Sequence, residues 1–131
     1  MNEISSERSA ETAMMRMPIR TRSEMNLREH WAKTHKRRKE QRWLTYALVS
    51  ALVDENEIGE WPKIHVTLCR IAPRNLDTDN LAASMKAVRD GVADALERDD
   101  GDTSITWEYR QCQLGKCEYA VHVSLKRKGR K

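Results

Sequence analysis

Apolar residues follow no period until about residue 15, after which the pattern switches between helical and extended spacing. Residues 1–14 are polar and aperiodic, which predicts a flexible N-terminal arm ahead of a single domain over 15–131. Met17 to Arg22, with Pro18 tolerated at the first positions of a strand, predicts a short edge strand. From Asn26 to Val53 neither Gly nor Pro interrupts, and Leu27, Trp31, Leu44, Leu48 and Leu52 recur at helical spacing around a charged middle. One long helix is expected there, with Trp31 and Trp43 placed in the core rather than on a base-stacking surface. Asp54 to Trp61 reads as a polar loop ending at Pro62.

Lys63 to Ile71 alternates, with Ile64, Val66 and Leu68 on one face and His65, Thr67 and Cys69 on the other, as a half-buried strand requires. Ser104 to Cys112 repeats the alternation through Ile105, Trp107 and Tyr109, and Glu118 to Lys126 does so through Tyr119, Val121, Val123 and Leu125. The short Gly-containing segment between these two predicts an antiparallel hairpin. Between strand and hairpin, Leu81, Met85, Val88, Val92 and Ala95 mark the apolar face of a helix over Asn80 to Glu97. The expected fold is a small single α/β domain, a mixed sheet of about four strands with two main helices. Hydrophobic residues make up only 39% of the chain and Phe is absent, so the core is thin and burial in a homodimer would add to it.

Charge sharpens this picture. The formal net charge is +4, but Arg16 to Arg42 holds ten basic and three acidic residues, whereas Leu76 to Asp102 holds eight acidic and three basic ones. Such a chain can approach a polyanion broadly while gathering carboxylates at one spot. Lys33, Lys36, Arg37, Arg38, Lys39 and Arg42 are the central candidates for phosphate contact, with Arg70, Arg74 and the basic residues from Lys126 onward; the alternative is a solvated helix face. There is no run of 18 apolar residues and no apolar signal core near the start, and the three cysteines are odd and sparse. A cytoplasmic, reducing setting without membrane contact is expected. His65 and Cys69 share a strand face but lie roughly 13 Å apart, too far for one zinc ion. Cys112 and Cys117 lack further ligands, and no Gly-rich phosphate loop suggests a nucleotide cofactor.

The strand-to-helix connection reads Arg74, Asn75, Leu76, Asp77, Thr78, Asp79, Asn80, and a second acidic group follows at Asp99, Asp100 and Asp102. Two carboxylates two positions apart can converge on a hard cation such as Mg²⁺. The local alternative has Asp79 capping the helix, the later Asp residues forming a solvated turn with Gly101, and Lys86 pairing with Asp90 one turn on.

Asp77-x-Asp79-Asn80-Leu81, followed by Lys86, Asp90 and Asp99-Asp100 ahead of a strand, resembles the RusA family of Holliday junction resolvases, particularly its phage-borne relatives. The resemblance covers residues 60–126. It implies a homodimeric, Mg²⁺-dependent (Mn²⁺ possible) endodeoxyribonuclease in a prokaryotic or phage-infected cell, which resolves four-way DNA junctions by paired nicks in recombination and repair. Asp77, Asp79 and one of Asp99 and Asp100, with Asp100 preferred, would be metal ligands; Asn80 would support them and Lys86 would stabilise the phosphate or leaving oxygen. The family lysine lies near the position of Ala83, so Lys86 is displaced by about one turn. A non-catalytic DNA-binding accessory protein and a nuclease for other branched DNA are the alternatives. A straight helix over 80–97 would span about 25 Å and hold Asp79 and Asp100 apart. The resemblance therefore requires the helix to end early, near Gly91, with the chain doubling back, or a partner subunit to complete the pocket.

Overall fold

Strand β3 (Lys63–Ala72) buries Ile64, Val66 and Leu68 completely and leaves His65, Thr67 and Cys69 half-buried, as its alternation predicts. The computed structural model describes residues 6–9, 11–22, 31–113 and 118–128. Around β3 they form β1 (Ser6–Ser9), β2 (Thr12–Met17), α1 (Trp31–Asn56), a 3₁₀ turn (Ile58–Glu60), α2 (Thr78–Ser84), α3 (Lys86–Leu96), β4 (Ile105–Gln113) and β5 (Ala120–Lys128). The α/β class and the mixed sheet are as expected. The sheet has five strands in the order β1-β2-β5-β3-β4, antiparallel except where β3 and β4 run parallel.

The expected hairpin is absent, because β3 lies between β4 and β5. Alternation fixes which face a residue takes and says nothing of which strand lies alongside. The most apolar strand takes an interior place with a full ladder on each side, from Ile64↔Ile105 to Ala72↔Gln113 and from Lys63↔Lys128 to Ile71↔Ala120.

The N-terminal arm is also corrected. Ser6–Ser9 and Thr12–Met17 belong to the sheet, with Ala13 and Met17 buried opposite Leu125 and Val121. The strand lies earlier than the predicted 17–22, where Ile19 and Thr21 are buried without a ladder. Two small or flexible apolar residues four apart carry too little hydrophobic signal for alternation to show. The basic residues Lys126 and Lys128 likewise end β5 rather than forming a tail, and 129–131 lie outside the described residues.

Helices α1 and α3 share one core with the sheet face that carries Ile64, Val66, Leu68, Val121, Val123 and Leu125. Helix α1 buries Gln41, Thr45, Val49, Leu52 and Val53, a stripe at helical spacing. The helix continues through Asn56, and Ile58 in the segment expected as a polar loop is fully buried. Leu27 and the predicted start of the helix lie outside the described residues. Trp31 and Trp43 are not core residues: they are 74% and 66% exposed, and Tyr46 is 45% exposed. No residue from Trp31 to Glu40 is buried, and Trp43 lies two positions from both Gln41 and Thr45, some 200° around the helix from the buried stripe.

The single helix expected over 80–97 is two helices, broken at Met85 rather than near Gly91. Met85 has φ −102° and ψ 2°, and the Ser84 hydroxyl donates to the Leu81 carbonyl at 2.8 Å, a local bond that competes with helix continuation. Leu81, Met85, Val88, Val92 and Ala95 are all buried, so the apolar face is kept across the break.

Gly91 serves contact instead. A Cβ there would lie 2.6 Å from the Arg42 carbonyl oxygen and 2.7 Å from Thr45 Cβ. In an ordinary helix Gly→Ala is stabilising by up to about 1 kcal/mol. Gly91→Ala is expected to have the opposite sign, costing about 1–3 kcal/mol through overpacking, as read in a urea titration.

Candidate functional site

The site is built at the ends of the parallel strands β3 and β4, where Arg70 and Gln111 are register partners on the helix-covered face. Gln111 holds the backbone of Leu76 from both sides: its Oε1 accepts from the Leu76 amide at 2.9 Å and its Nε2 donates to the Leu76 carbonyl at 2.7 Å. Arg70 donates from Nη1 to the Arg74 carbonyl at 2.6 Å and from Nε to Thr21 Oγ1 at 2.8 Å. Both side chains fix the connection immediately before Asp77. Arg70 is 6% exposed, so its predicted role as a phosphate contact is corrected to a structural one. Burial pulls its guanidinium below the ordinary value, but the group stays charged at neutral pH. Arg74, the other candidate phosphate contact on this segment, is exposed.

Asp77, rather than Asp79, caps α2: its Oδ1 accepts from the Asn80 amide at 2.9 Å. Asp77 and Asp79 are both exposed in the first turn, while Asn80 is buried. At the other end of α3, Glu97 takes a left-handed conformation (φ 57°), and the Arg98 amide bonds the Ala93 carbonyl at 3.1 Å. This closure turns the chain back along α3.

The reversal separates the roles of the second acidic group. Asp99 and Asp102 close the turn, accepting from the Gly101 amide at 3.3 Å and the Ser104 amide at 2.8 Å. Asp100 instead returns to the beginning of α3, where its Oδ2 lies 3.4 Å from Lys86 Nζ and 3.4 Å from Arg89 Nε. Lys86 also pairs with Asp90 Oδ1 at 2.9 Å, so the local reading of this lysine holds and the contact with Asp100 is added to it. The backbone of Asp100 is held too, its carbonyl accepting from Arg89 Nη2 at 3.1 Å and Trp107 Nε1 at 3.2 Å. The Arg89 guanidinium lies 4.5 Å over the Trp107 ring and donates to Tyr109 Oη at 3.1 Å.

Two adjoining recesses flank this cluster. One, of about 430 Å³, is lined by Arg38, Ala82, Ala83, Lys86, Arg89, Asp100 and Tyr109. The other, of about 420 Å³, brings His35, Arg38, Lys39 and Arg42 of α1 opposite Lys86, Ala87 and Asp90. Arg38 and Lys86 belong to both. Of the predicted basic run, Lys33, Lys36, Arg38 and Lys39 are exposed and Arg37 is half-buried. Ala83 faces the same recess as Lys86 and Asp100.

The structure thus brings Asp100, Lys86 and the α1 cations together. It does not place Asp77, Asp79 and Asp100 as one ligand set: among the described residues no group of three or more His, Cys, Asp or Glu side chains is positioned to hold a metal ion. Sequence reasoning missed Arg89 and Gln111. The first sits three residues after Lys86, on the same helix face; nothing in the sequence marked the second.

Comparison with protein-family models finds no match, and comparison with curated proteins finds none either. Among the described residues no helix is long and apolar enough to cross a membrane.

Lys86, foremost, and Arg89 hold the Asp100 carboxyl below its ordinary value. Carboxyl NMR is expected to place its midpoint below ~3.9, and Lys86→Met to raise it. Because the folded value is the lower one, the stabilisation is complete above about pH 4 and disappears as pH falls through the folded midpoint. Gln111→Leu removes both bonds to Leu76, and faster hydrogen exchange at the Leu76 amide is the expected result.

Proposed function

We propose that the protein is a metal-dependent endonuclease acting on branched DNA, with four-way junctions as its substrate, in line with the RusA-like sequence pattern. The observation that carries this reading is the return of Asp100 to the break between α2 and α3. A straight helix would leave Asp100 about 25 Å from Asp79. Instead Asp100 meets Lys86, seven residues after Asp79, in a recess whose opposite wall is the basic side of α1.

Mg²⁺ takes oxygen ligands and is commonly bound through one or two carboxylates with water and substrate phosphates. Asp77 and Asp79 fit that demand: both are exposed, two positions apart, at the start of α2, directly after a connection fixed by Gln111 and Arg70. In this reading they hold the ion, and Asn80 sets the turn between them through the bond of its amide to Asp77. A bound Mg²⁺ would supply an activated water and offset charge on the scissile phosphate. Asp100 joins the ligand set only by exchanging Lys86 and Arg89 for the metal, which leaves those two cations beside the phosphate. Arg38 and Lys39, with Lys33 and Lys36 further along α1, would neutralise phosphates flanking the cut, so affinity should fall steeply with salt. Two copies related by a twofold axis would match the symmetry of a junction and deliver paired nicks.

A non-catalytic junction-binding role is the second reading, and the pairing of Asp100 with both Lys86 and Arg89 favours it. Incubating the protein with a labelled four-way junction and a linear duplex, with Mg²⁺, Mn²⁺ or EDTA, separates the two. Paired, metal-dependent nicks confined to the junction are expected, reduced by two or more orders of magnitude in Asp77→Asn and Asp79→Asn with binding retained. Binding without nicking under every metal would assign the accessory role.

A further inference from the structure

We infer that α1 carries a stacking site for an unpaired DNA base, formed by Trp43 and Tyr46 and continuous with the basic cleft; this inference rests on the DNA-binding reading above. Lys39, Arg42, Trp43 and Tyr46 stand at successive steps of three, one and three along the helix and share one face with it. With Asp94 of α3 they line a recess of about 340 Å³. Trp43 and Tyr46 are 66% and 45% exposed, an uncommon outlay of large apolar surface in a chain with only seven aromatic residues.

Three features identify the occupant as a nucleobase rather than an apolar protein segment. Lys39 and Arg42 line both this recess and the cleft beside Lys86, so a strand whose phosphates occupy the cleft passes directly over the two rings. Arg42 is held flat by a two-pronged bond to Asp94, Nε to Oδ2 at 2.7 Å and Nη2 to Oδ1 at 3.0 Å. A fixed guanidinium plane beside an indole is a surface for another planar π system. The Asp94 carboxylate lining the recess is an acceptor for the amino and imino groups on a base edge, and the imino N–H is free only when the base is unpaired. Unpaired or readily opened bases occur at the branch points of DNA, where strands exchange partners, and not along a linear duplex.

The test compares binding of the full chain to labelled oligothymidylate and to an abasic strand of equal length and charge, by fluorescence anisotropy at one salt concentration. The wild type is expected to prefer the base-bearing strand. Trp43→Ala is expected to weaken that binding about tenfold without changing abasic binding, Tyr46→Ala to act in the same direction, and Trp43→Phe to retain most of the affinity, in keeping with stacking on an aromatic face. Both rings are exposed, so these variants leave the core untouched, and circular dichroism checks that they fold. Equal losses on both strands, or no loss on either, would overturn the stacking site while leaving junction binding and nicking by the wild type intact. A change in sedimentation of Trp43→Ala without base dependence would assign the patch to a second copy of the chain and overturn the inference. Failure of the wild type to bind any strand or junction would overturn this site and the proposed function together.

Discussion

At Gly91 the backbone of α3, with no side chain of its own, meets the Arg42 carbonyl and the Thr45 side chain of α1, and the geometry of the candidate site follows from that approach. With the helices this close, the outward residues of α1 and the first turns of α3 become opposite walls of a narrow cleft. Arg38, Lys39 and Arg42 stand on one wall and Lys86 and Asp90 on the other, with Arg42 bridging to Asp94. Wider spacing would turn the cleft into a flat surface, where charges separated by water would act weakly on one another.

The same closeness organises the charges. Asp90, Asp94 and Asp100 each face at least one of Lys86, Arg89 and Arg42, so three carboxylates of the acidic stretch are folded against basic side chains. Strand ends make the second contribution. Arg70 and Gln111, adjacent in register, tie down the segment entering α2. The carboxylate loop is thereby mounted on the sheet, and the cationic wall on the helix pair, so the two halves of the site depend on different parts of one core.

The strands β3, β4 and β5 were legible because each alternates, but their pairing was not. A period of two specifies inside and outside and carries no information on neighbours. The α2–α3 break was hidden for a related reason: the buried face of Leu81, Met85 and Val88 continues across it, and neither Gly nor Pro marks Met85. Trp43 is the reverse case: its residue type suggests burial, while its phase along the helix turns it outward. The acidic motif is visible as spacing, yet which of its later carboxylates closes a turn and which meets a lysine depends on the chain reversal at Glu97. That reversal uses a left-handed residue that is not glycine, and so leaves no mark in the sequence.

The place of β5 has a consequence for how the fold is reached. β5 joins β2 on one side and β3 on the other, yet it follows both in the chain. β1 pairs with β2 and β3 with β4, and these two parts of the sheet are joined only through Ala120 to Lys128. Pairing at such sequence separation is slow, since a long loop must close before any contact rewards it. Until then both fragments present open strand edges, including the apolar β3, to neighbouring chains. The chain is therefore open to misassembly until β5 is made, after the elements that carry the candidate site.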